Sequence, residues 1–109
     1  MNMEKFTERS RGFLQSAQTI AIRENQQRVM PEHLLKALMD DDQGLASNLI
    51  TRAGGDAKRV REAVDAAVAK QPKVSGSGSG QVYVDPTLVR VLDEAESVAK
   101  KAGDSFVPA

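Results

Sequence analysis

The sequence predicts an all-α domain, and three observations lead to this prediction. Apolar residues recur at helical spacing in five separate segments of the chain. Aromatic residues account for only 4% of the sequence, so small and aliphatic side chains must form most of the core, which favours close contacts between helices. Proline, glycine and aspartate stand where these segments begin or end, as is typical of helix termini. With 109 residues, the chain is long enough for one domain with a single modest core.

Four helices are predicted within residues 1–70, which we interpret as a first repeat. The first helix covers residues 4–24. The second opens at Pro31, because proline suits the first helical position, where the missing backbone N–H is not needed. A short third helix ends at a pair of glycines, which readily adopt the left-handed conformation that follows many helices. Asp56 is predicted to cap the fourth helix, residues 57–70.

Residues 71–84 are predicted to link this unit to a second one. They contain a glycine–serine tract, residues 75–80, whose composition is typical of flexible chain. A weakly alternating strip after the tract is predicted to be extended. Asp85 and Pro86 then open a fifth helix, so residues 85–109 are interpreted as the start of a second repeat. The apolar residues expected on the buried face of this helix are Leu88, Val91, Leu92, Ala95, Val98 and Ala99.

An internal repeat supports this division of the chain. Four apolar positions of the first helix recur in the fifth at a constant offset of 78, and a proline landmark recurs at an offset of 77. Because the first proline opens a leucine-rich helix, we expect a similar helix after Pro108, but the chain stops at Ala109. The fifth helix is therefore expected to expose part of its apolar face. The matching positions are Leu14, Ala17, Ile20 and Ala21 with Leu92, Ala95, Val98 and Ala99, and Val29-Met30-Pro31 with Phe106-Val107-Pro108.

The composition argues against several classes of function. Fifteen basic and fifteen acidic residues give a net charge of zero, whereas proteins that hold nucleic acid usually carry a basic excess. A helical DNA-binding protein is therefore a disfavoured alternative, and no nucleic-acid partner is expected. No apolar run approaches the ~18 residues that a membrane span needs, and the N-terminus does not resemble a secretory signal. The absence of cysteine suits a reducing compartment, so we expect a cytoplasmic protein without a membrane partner.

No residue pattern in the chain indicates catalysis. His33 is the single histidine, and we interpret it as a partly buried helix residue and not as a metal ligand. The run Asp40-Asp41-Asp42 lacks the spacing of a calcium loop and is interpreted as a solvated end of a helix. The glycine–serine tract lacks the lysine of a phosphate-binding loop. The chain itself is therefore predicted to be no enzyme and to hold no metal or cofactor.

Several stretches of the sequence together resemble one known domain family. They are Thr7, Ala17-Gln18, residues 29–38, residues 52–55, residues 72–74 with the glycine–serine tract, residues 88–93 and residues 101–106. The earlier stretches resemble the first repeat of the Clp N-terminal domain, and the later ones resemble its ClpB-type disaggregase branch. The resemblance implies two pseudo-repeats of four helices, of which the second is only begun here. It also implies a longer parent protein with two ATPase modules that use ATP and form a hexameric ring.

The resemblance further implies what the domain does and where. A ClpB-type N-terminal domain is expected to capture unfolded or aggregated proteins in the stress response, in cooperation with a DnaK-type chaperone system. The alternative is an adaptor-docking domain of a protease-partnered, ClpA- or ClpC-like ATPase. Four substrate-binding residues carry over from the family, and a fifth position, Glu94, departs from its usual apolar character. Because the next helix is missing, we expect substrate binding to be impaired. The four residues are Thr7, Leu92, Val98 and Asp104.

From the residues alone, two of these four also have a purely structural interpretation. Thr7 precedes the first helix, where its hydroxyl would accept a backbone N–H as a helix cap. Asp104 follows a glycine and is most simply a turn residue. Both interpretations stay open at the level of the sequence.

Overall fold

Five helices account for most of the described chain. The computed structural model describes residue 4 and residues 6–74, 81–103 and 106–108. The all-α prediction is confirmed, and all five predicted helices are present. No helix in these ranges is long and apolar enough to cross a membrane. The helices are α1 (Glu8–Arg23), α2 (Pro31–Met39), α3 (Leu45–Arg52), α4 (Ala57–Ala69) and α5 (Pro86–Lys101), and two short strands are β1 (Arg28–Val29) and β2 (Tyr83–Val84).

Side-chain caps determine where three of the helices begin. The Thr7 hydroxyl accepts the Ser10 N–H at 3.2 Å, so the capping interpretation of this residue is confirmed. The Asp56 carboxylate accepts the N–H of Lys58 at 3.1 Å, as predicted for α4. Asp85 does the same for α5, accepting the Thr87 N–H at 2.9 Å.

Helix α1 begins later than the prediction of residues 4–24. Phe6 lies in an isolated parallel bridge to Val107, and Thr7 has an extended backbone, with φ −65° and ψ 161°. The Thr7 N–H donates to the Val107 carbonyl at 3.0 Å. A long-range backbone contact therefore replaces the first helical turn that the apolar spacing had suggested.

The two strands join distant parts of the chain in parallel. Arg28 pairs with Tyr83 and Val29 with Val84. The extended conformation predicted after the glycine–serine tract is therefore present at β2. Strand β1 was not predicted, because a two-residue strand has too few side chains to show an alternating pattern.

Equivalent backbone bonds connect the two halves of the chain in both directions. The N–H of Asp85, the cap of α5, donates to the Val29 carbonyl at 3.1 Å. The N–H of Thr7, the cap of α1, donates to the Val107 carbonyl at 3.0 Å. Helix α5 therefore begins beside Val29, which follows α1, and helix α1 begins beside Val107, which follows α5. We call these two contacts the reciprocal junctions.

The reciprocal junctions correct the alignment of the repeat. The two caps are related by an offset of 78, and so are Val29 and Val107, which accept their N–H bonds and are both buried. The sequence match had instead aligned Val29 with Phe106, at an offset of 77, yet the Phe106 side chain is 53% exposed. Pro31 and Pro108 are therefore one residue out of step with the structural repeat. Backbone pairing and burial, and not the prolines, determine which residues of the two halves are equivalent.

Helix α1 lies between two groups of buried side chains. One group lies between α1, the strands and α5. The second lies between α1, α2 and α4, and α3 contributes no buried residue to either group. The first group is Phe6, Leu14, Ala17, Ala21, Val29, Leu88, Leu92, Ala99 and Val107, and the second is Ile20, Ala37, Val64 and Val68.

Candidate functional site

An apolar depression runs along α5 where it meets α1, α2 and residues 106–108. It consists of two adjoining cavities of about 180 and 440 Å³, which we call the α1–α5 groove. Both cavities share Val91, Ala95, Val107 and Pro108. The smaller cavity is also lined by Phe6, Ser10, Phe13, Leu14, Leu34, Leu38 and Leu92, and the larger one by Glu94, Val98, Ala99 and Ala102.

The wall of the smaller cavity offers almost no polar group to a ligand. Ser10 is its one polar side chain, and the Ser10 hydroxyl is already occupied, since it donates to the Val107 carbonyl at 2.8 Å. In the larger cavity the exposed Glu94 is the one charged residue. Such a wall can bury apolar side chains.

The two predicted groove residues on α5 occupy different parts of the groove. Leu92 is buried in the core and forms the floor of the smaller cavity. Val98 is 57% exposed and lines the larger cavity, so the prediction that Val98 belongs to a buried face is wrong in this structure. Val91, predicted to be buried as well, is 45% exposed. The repeat had led us to expect partial exposure of this face, but not which of its residues would be exposed.

Several groove residues were not identified as site residues from the sequence. Val91 was assigned only to the core, although it lies seven residues before Val98, a spacing that puts both on one helix face. Phe6, Val107 and Pro108 enter the groove through the reciprocal junction at Thr7. Nothing in the local sequence indicates that junction, because Thr7 and Val107 lie near opposite ends of the chain.

Thr7 lies at the edge of this groove, where it stabilises the start of α1 and the position of Val107. Its side chain is half-buried and its hydroxyl caps α1, while its N–H holds Val107 in the groove wall. Asp104, the other polar residue carried over from the family, lies outside the described residues. The structure therefore brings Thr7, Leu92 and Val98 to the region of the groove, although only the last two line it.

Two residues of the acidic run after α2 are paired with basic side chains, whereas the sequence predicts a solvated run. Asp40 lies 2.6 Å from Arg61 and 3.4 Å from Lys36, and Asp41 lies 2.9 Å from Arg9. A side-chain hydrogen bond to Asp65 raises the pKa of Lys36. Within the described ranges, no group of three or more metal-ligating side chains is arranged to hold an ion.

His33 is more buried than its place in the sequence suggests. The sequence predicts a partly buried residue, but the His33 side chain has no exposed surface. Both ring nitrogens have protein partners, the Met30 N–H at 2.8 Å and the Gln26 side-chain oxygen at 2.6 Å. Two neighbours thus satisfy the ring completely, which a helical periodicity cannot reveal.

Comparison with known families and proteins agrees with this fold. The family described as the Clp repeat (R) N-terminal domain matches residues 5–109. Chaperone protein ClpB of Rhodopseudomonas palustris is 57% identical over 107 residues, which cover 98% of this chain and 12% of that protein. Chaperone protein ClpB of Agrobacterium fabrum is 61% identical over the same shares. The chain thus spans only 12% of the length of these relatives.

Solved structures share the architecture at low sequence identity. The N-terminal domain of a ClpV ATPase from E. coli matches with a TM-score of 0.84 and 18% identity, covering 96% of this chain and 63% of that one. The N-domain of ClpV from Vibrio cholerae matches with a TM-score of 0.80 and 20% identity, covering 96% and 61%. At these identities the likeness concerns the fold alone. Since the family match extends over nearly the whole chain, this protein belongs to the Clp repeat N-terminal domain family.

Proposed function

We propose that the α1–α5 groove captures apolar side chains of unfolded or aggregated proteins for a ClpB-type disaggregase. The observation that carries this proposal is the groove itself, an apolar depression with Val91 and Val98 exposed on its α5 side. The relatives named as ClpB chaperones support the choice of occupant. The domain contributes binding and no catalysis.

The rest of the activity is proposed for the longer protein to which such a domain belongs. The relatives are about eight times as long as the matched region, so the domain is a minor part of each. We propose that the parent is a cytoplasmic hexameric ATPase, that ATP binds to its other modules, and that it cooperates with a DnaK-type chaperone system in the stress response.

Binding in this groove is expected to be weak and to lack sequence specificity. Burying a total of roughly 200–300 Å² of apolar surface, counted on the groove and on the bound segment together, is worth about 5–8 kcal/mol. Association costs about 4–15 kcal/mol in lost freedom of motion, so little net affinity remains. An apolar wall without free hydrogen-bonding groups also cannot distinguish one apolar segment from another. Both properties suit a domain that must accept many different unfolded chains and release them again.

Thr7 and Asp104 are proposed as the polar edge of the same site. Thr7 is bonded to Val107, which lines both cavities, so a segment in the groove would pass close to Thr7. Asp104 precedes residues 106–108 by two positions and is proposed at this edge from its place in the sequence. Polar groups at the rim would contact the backbone of a bound segment and not its side chains.

Titration with a fluorescently labelled, permanently unfolded model protein tests the proposal. Replacing both Val91 and Val98 with serine is expected to weaken binding roughly tenfold, because the exposed parts of two valines are worth about 1–2 kcal/mol. Leu49→Ser is the matched control, since Leu49 in α3 is also 57% exposed but lies outside the groove. Equal loss of binding in the double variant and the control, or no saturable binding by the folded wild-type chain, would contradict the proposal.

A further inference from the structure

A buried chain of hydrogen bonds connects three segments at His33. The His33 side chain is fully buried near the start of α2. Its Nδ1 accepts the Met30 N–H at 2.8 Å, and its Nε2 lies 2.6 Å from Oε1 of Gln26. Gln26, which is also buried, follows α1, and its Nε2 donates to the Val68 carbonyl in α4 at 2.6 Å. We call these four residues the His33 junction.

The hydrogen bonds of the His33 junction determine the protonation state of the ring. The Gln26 amide nitrogen faces a carbonyl, so its oxygen must face His33, and His33 Nε2 must carry a proton to donate. Nδ1 accepts a backbone N–H and therefore carries none. The junction is satisfied only by the neutral ring with its proton on Nε2.

A second proton on the ring has one place to go, which is Nδ1. There it would point at the Met30 N–H, and two donors would face each other inside the protein. The half-buried Met30 N–H would lose its acceptor, and a donor left unpaired away from water costs free energy. If the ring moved away to relieve this contact, Oε1 of Gln26 would lose its donor too. The junction therefore cannot absorb a proton without breaking at least one of its bonds.

Charged groups around the junction modify this behaviour without reversing it. Burial lowers the pKa of His33, and the Glu24 carboxylate at the end of α1 acts in the opposite direction. Glu24 is itself paired with Lys73, at 3.4 Å. On the α2 side, the Glu32 carboxylate accepts the Gln71 amide at 2.8 Å. Helix α4 meets the junction through the neutral carbonyl of Val68.

Several bonds fasten neighbouring segments at this place. The Val74 N–H donates to the Asn25 carbonyl at 2.7 Å, which holds residues 71–74 against the turn after α1. Met30 directly follows β1. The Val29 carbonyl of β1 accepts the N–H of Asp85, the cap of α5. The His33 junction thus lies where α2, β1 and residues 71–74 are held together.

We propose that His33 is a proton-sensitive fastening of this domain. Uptake of one proton at Nδ1 releases the start of α2 from β1 and loosens residues 71–74, so acidification opens this side of the molecule. The inference is independent of what the α1–α5 groove binds. Because burial holds the folded-state pKa below 6.5, the stabilisation is fully present above about pH 6.5 and is lost as the pH falls from there towards the folded pKa.

The single histidine makes a direct NMR test possible. With only one His in the chain, its ring signals are unambiguous in a titration of the 109-residue protein from pH 8 to pH 5. We expect the Nε2–H tautomer at neutral pH, a midpoint below 6.5, and weaker protection of the Met30 amide as the ring becomes protonated, when its exchange rate is compared with the intrinsic rate at each pH. A midpoint at or above 6.5, or the Nδ1–H tautomer, would overturn the proposal.

A variant separates this effect from general acid sensitivity. His33→Gln keeps an acceptor for the Met30 N–H, because glutamine at this helical position forms the same capping arrangement, but it does not titrate. Below pH 6.5, the unfolding equilibrium constant of the wild type is expected to rise by up to about tenfold per pH unit, and that of the variant by less. Parallel curves between pH 6.5 and pH 5 would overturn the proposal, and the NMR titration decides the question if the variant does not fold.

Discussion

Ile20 in α1 and Val98 in α5 occupy equivalent positions of the repeat, yet their surroundings differ completely. Ile20 is 5% exposed, because α2 and α4 cover it with Ala37, Val64 and Val68. Val98 is 57% exposed and lines the groove. Among the residues that the structure describes, no helix follows α5 to cover it as α2 follows and covers α1. Similar apolar patterns therefore give a core position in one half and an exposed groove position in the other.

The largest effect that this comparison predicts comes from shortening the two equivalent side chains. Ile20→Ala is expected to destabilise the domain by about 3 kcal/mol, because it removes buried methyl groups and leaves a cavity. Val98→Ala is expected to change the free energy of unfolding by less than about 0.5 kcal/mol, because the side chain is largely in solvent. Urea unfolding at pH 7.5 measures both. Comparable losses for the two variants would show that Val98 is buried in solution and that the groove is closed.

A smaller effect is expected where the two helices differ in backbone freedom. Gly12 in the middle of α1 matches Arg90 in α5, and a Cβ added at Gly12 would meet no atom within 4 Å. Gly12→Ala should therefore stabilise the domain by about 0.5–1 kcal/mol through reduced freedom of the unfolded chain. Arg90→Ala is the control and should be nearly neutral, since arginine and alanine have similar helix propensity. A rise in melting temperature is expected for Gly12→Ala only. No rise for this variant would mean that the alanine side chain introduces a clash or strain at residue 12.

The smallest effect concerns the two equivalent caps, Thr7 and Asp85, of which only one can titrate. Hydrogen bonds from Thr87 to the Asp85 carboxylate hold the pKa of Asp85 below its usual value of 3.8. Its stabilisation is therefore present above about pH 4 and is lost as the pH falls through 3.8 towards the folded pKa. Asp85→Thr copies the cap of α1 and should make stability less dependent on pH between 4.5 and 2.5, as followed by circular dichroism. An unchanged acid profile would mean that the carboxylate does not retain these bonds in solution.

The helices could be predicted because their signals are local. Pro31, Asp56 and Asp85 act within one turn of the helix that they begin, and all three lie where the sequence pattern placed them. The family resemblance is also carried by short stretches and is confirmed by the match over residues 5–109. The strand β1 and the bridge at Phe6 were missed, because each depends on a partner in the other half of the chain.

The candidate site was only partly predictable for the same reason. Helical spacing identifies Leu92 and Val98 as apolar positions of one helix, but it cannot separate the floor of a groove from its open side. Val91 shows the same limit, since its position in the apolar pattern is typical of a core residue, yet its side chain is exposed in the groove. The complete burial of His33 depends on Gln26 and Val68, neither of which a periodic pattern relates to it.

The sequence by itself determined the helical class and the starts of α2, α4 and α5, because capping groups and apolar spacing act over a few residues. The tertiary structure alone decided the register of the repeat, the hydrogen-bond partners of His33 and which apolar side chains of α5 remain exposed. Those properties depend on which segments meet in space, and burial and hydrogen-bond partners are established only there. The reciprocal junctions show this most directly, since two backbone bonds connect the halves of the chain and one of them, from Thr7 to Val107, holds a residue of the groove wall in place.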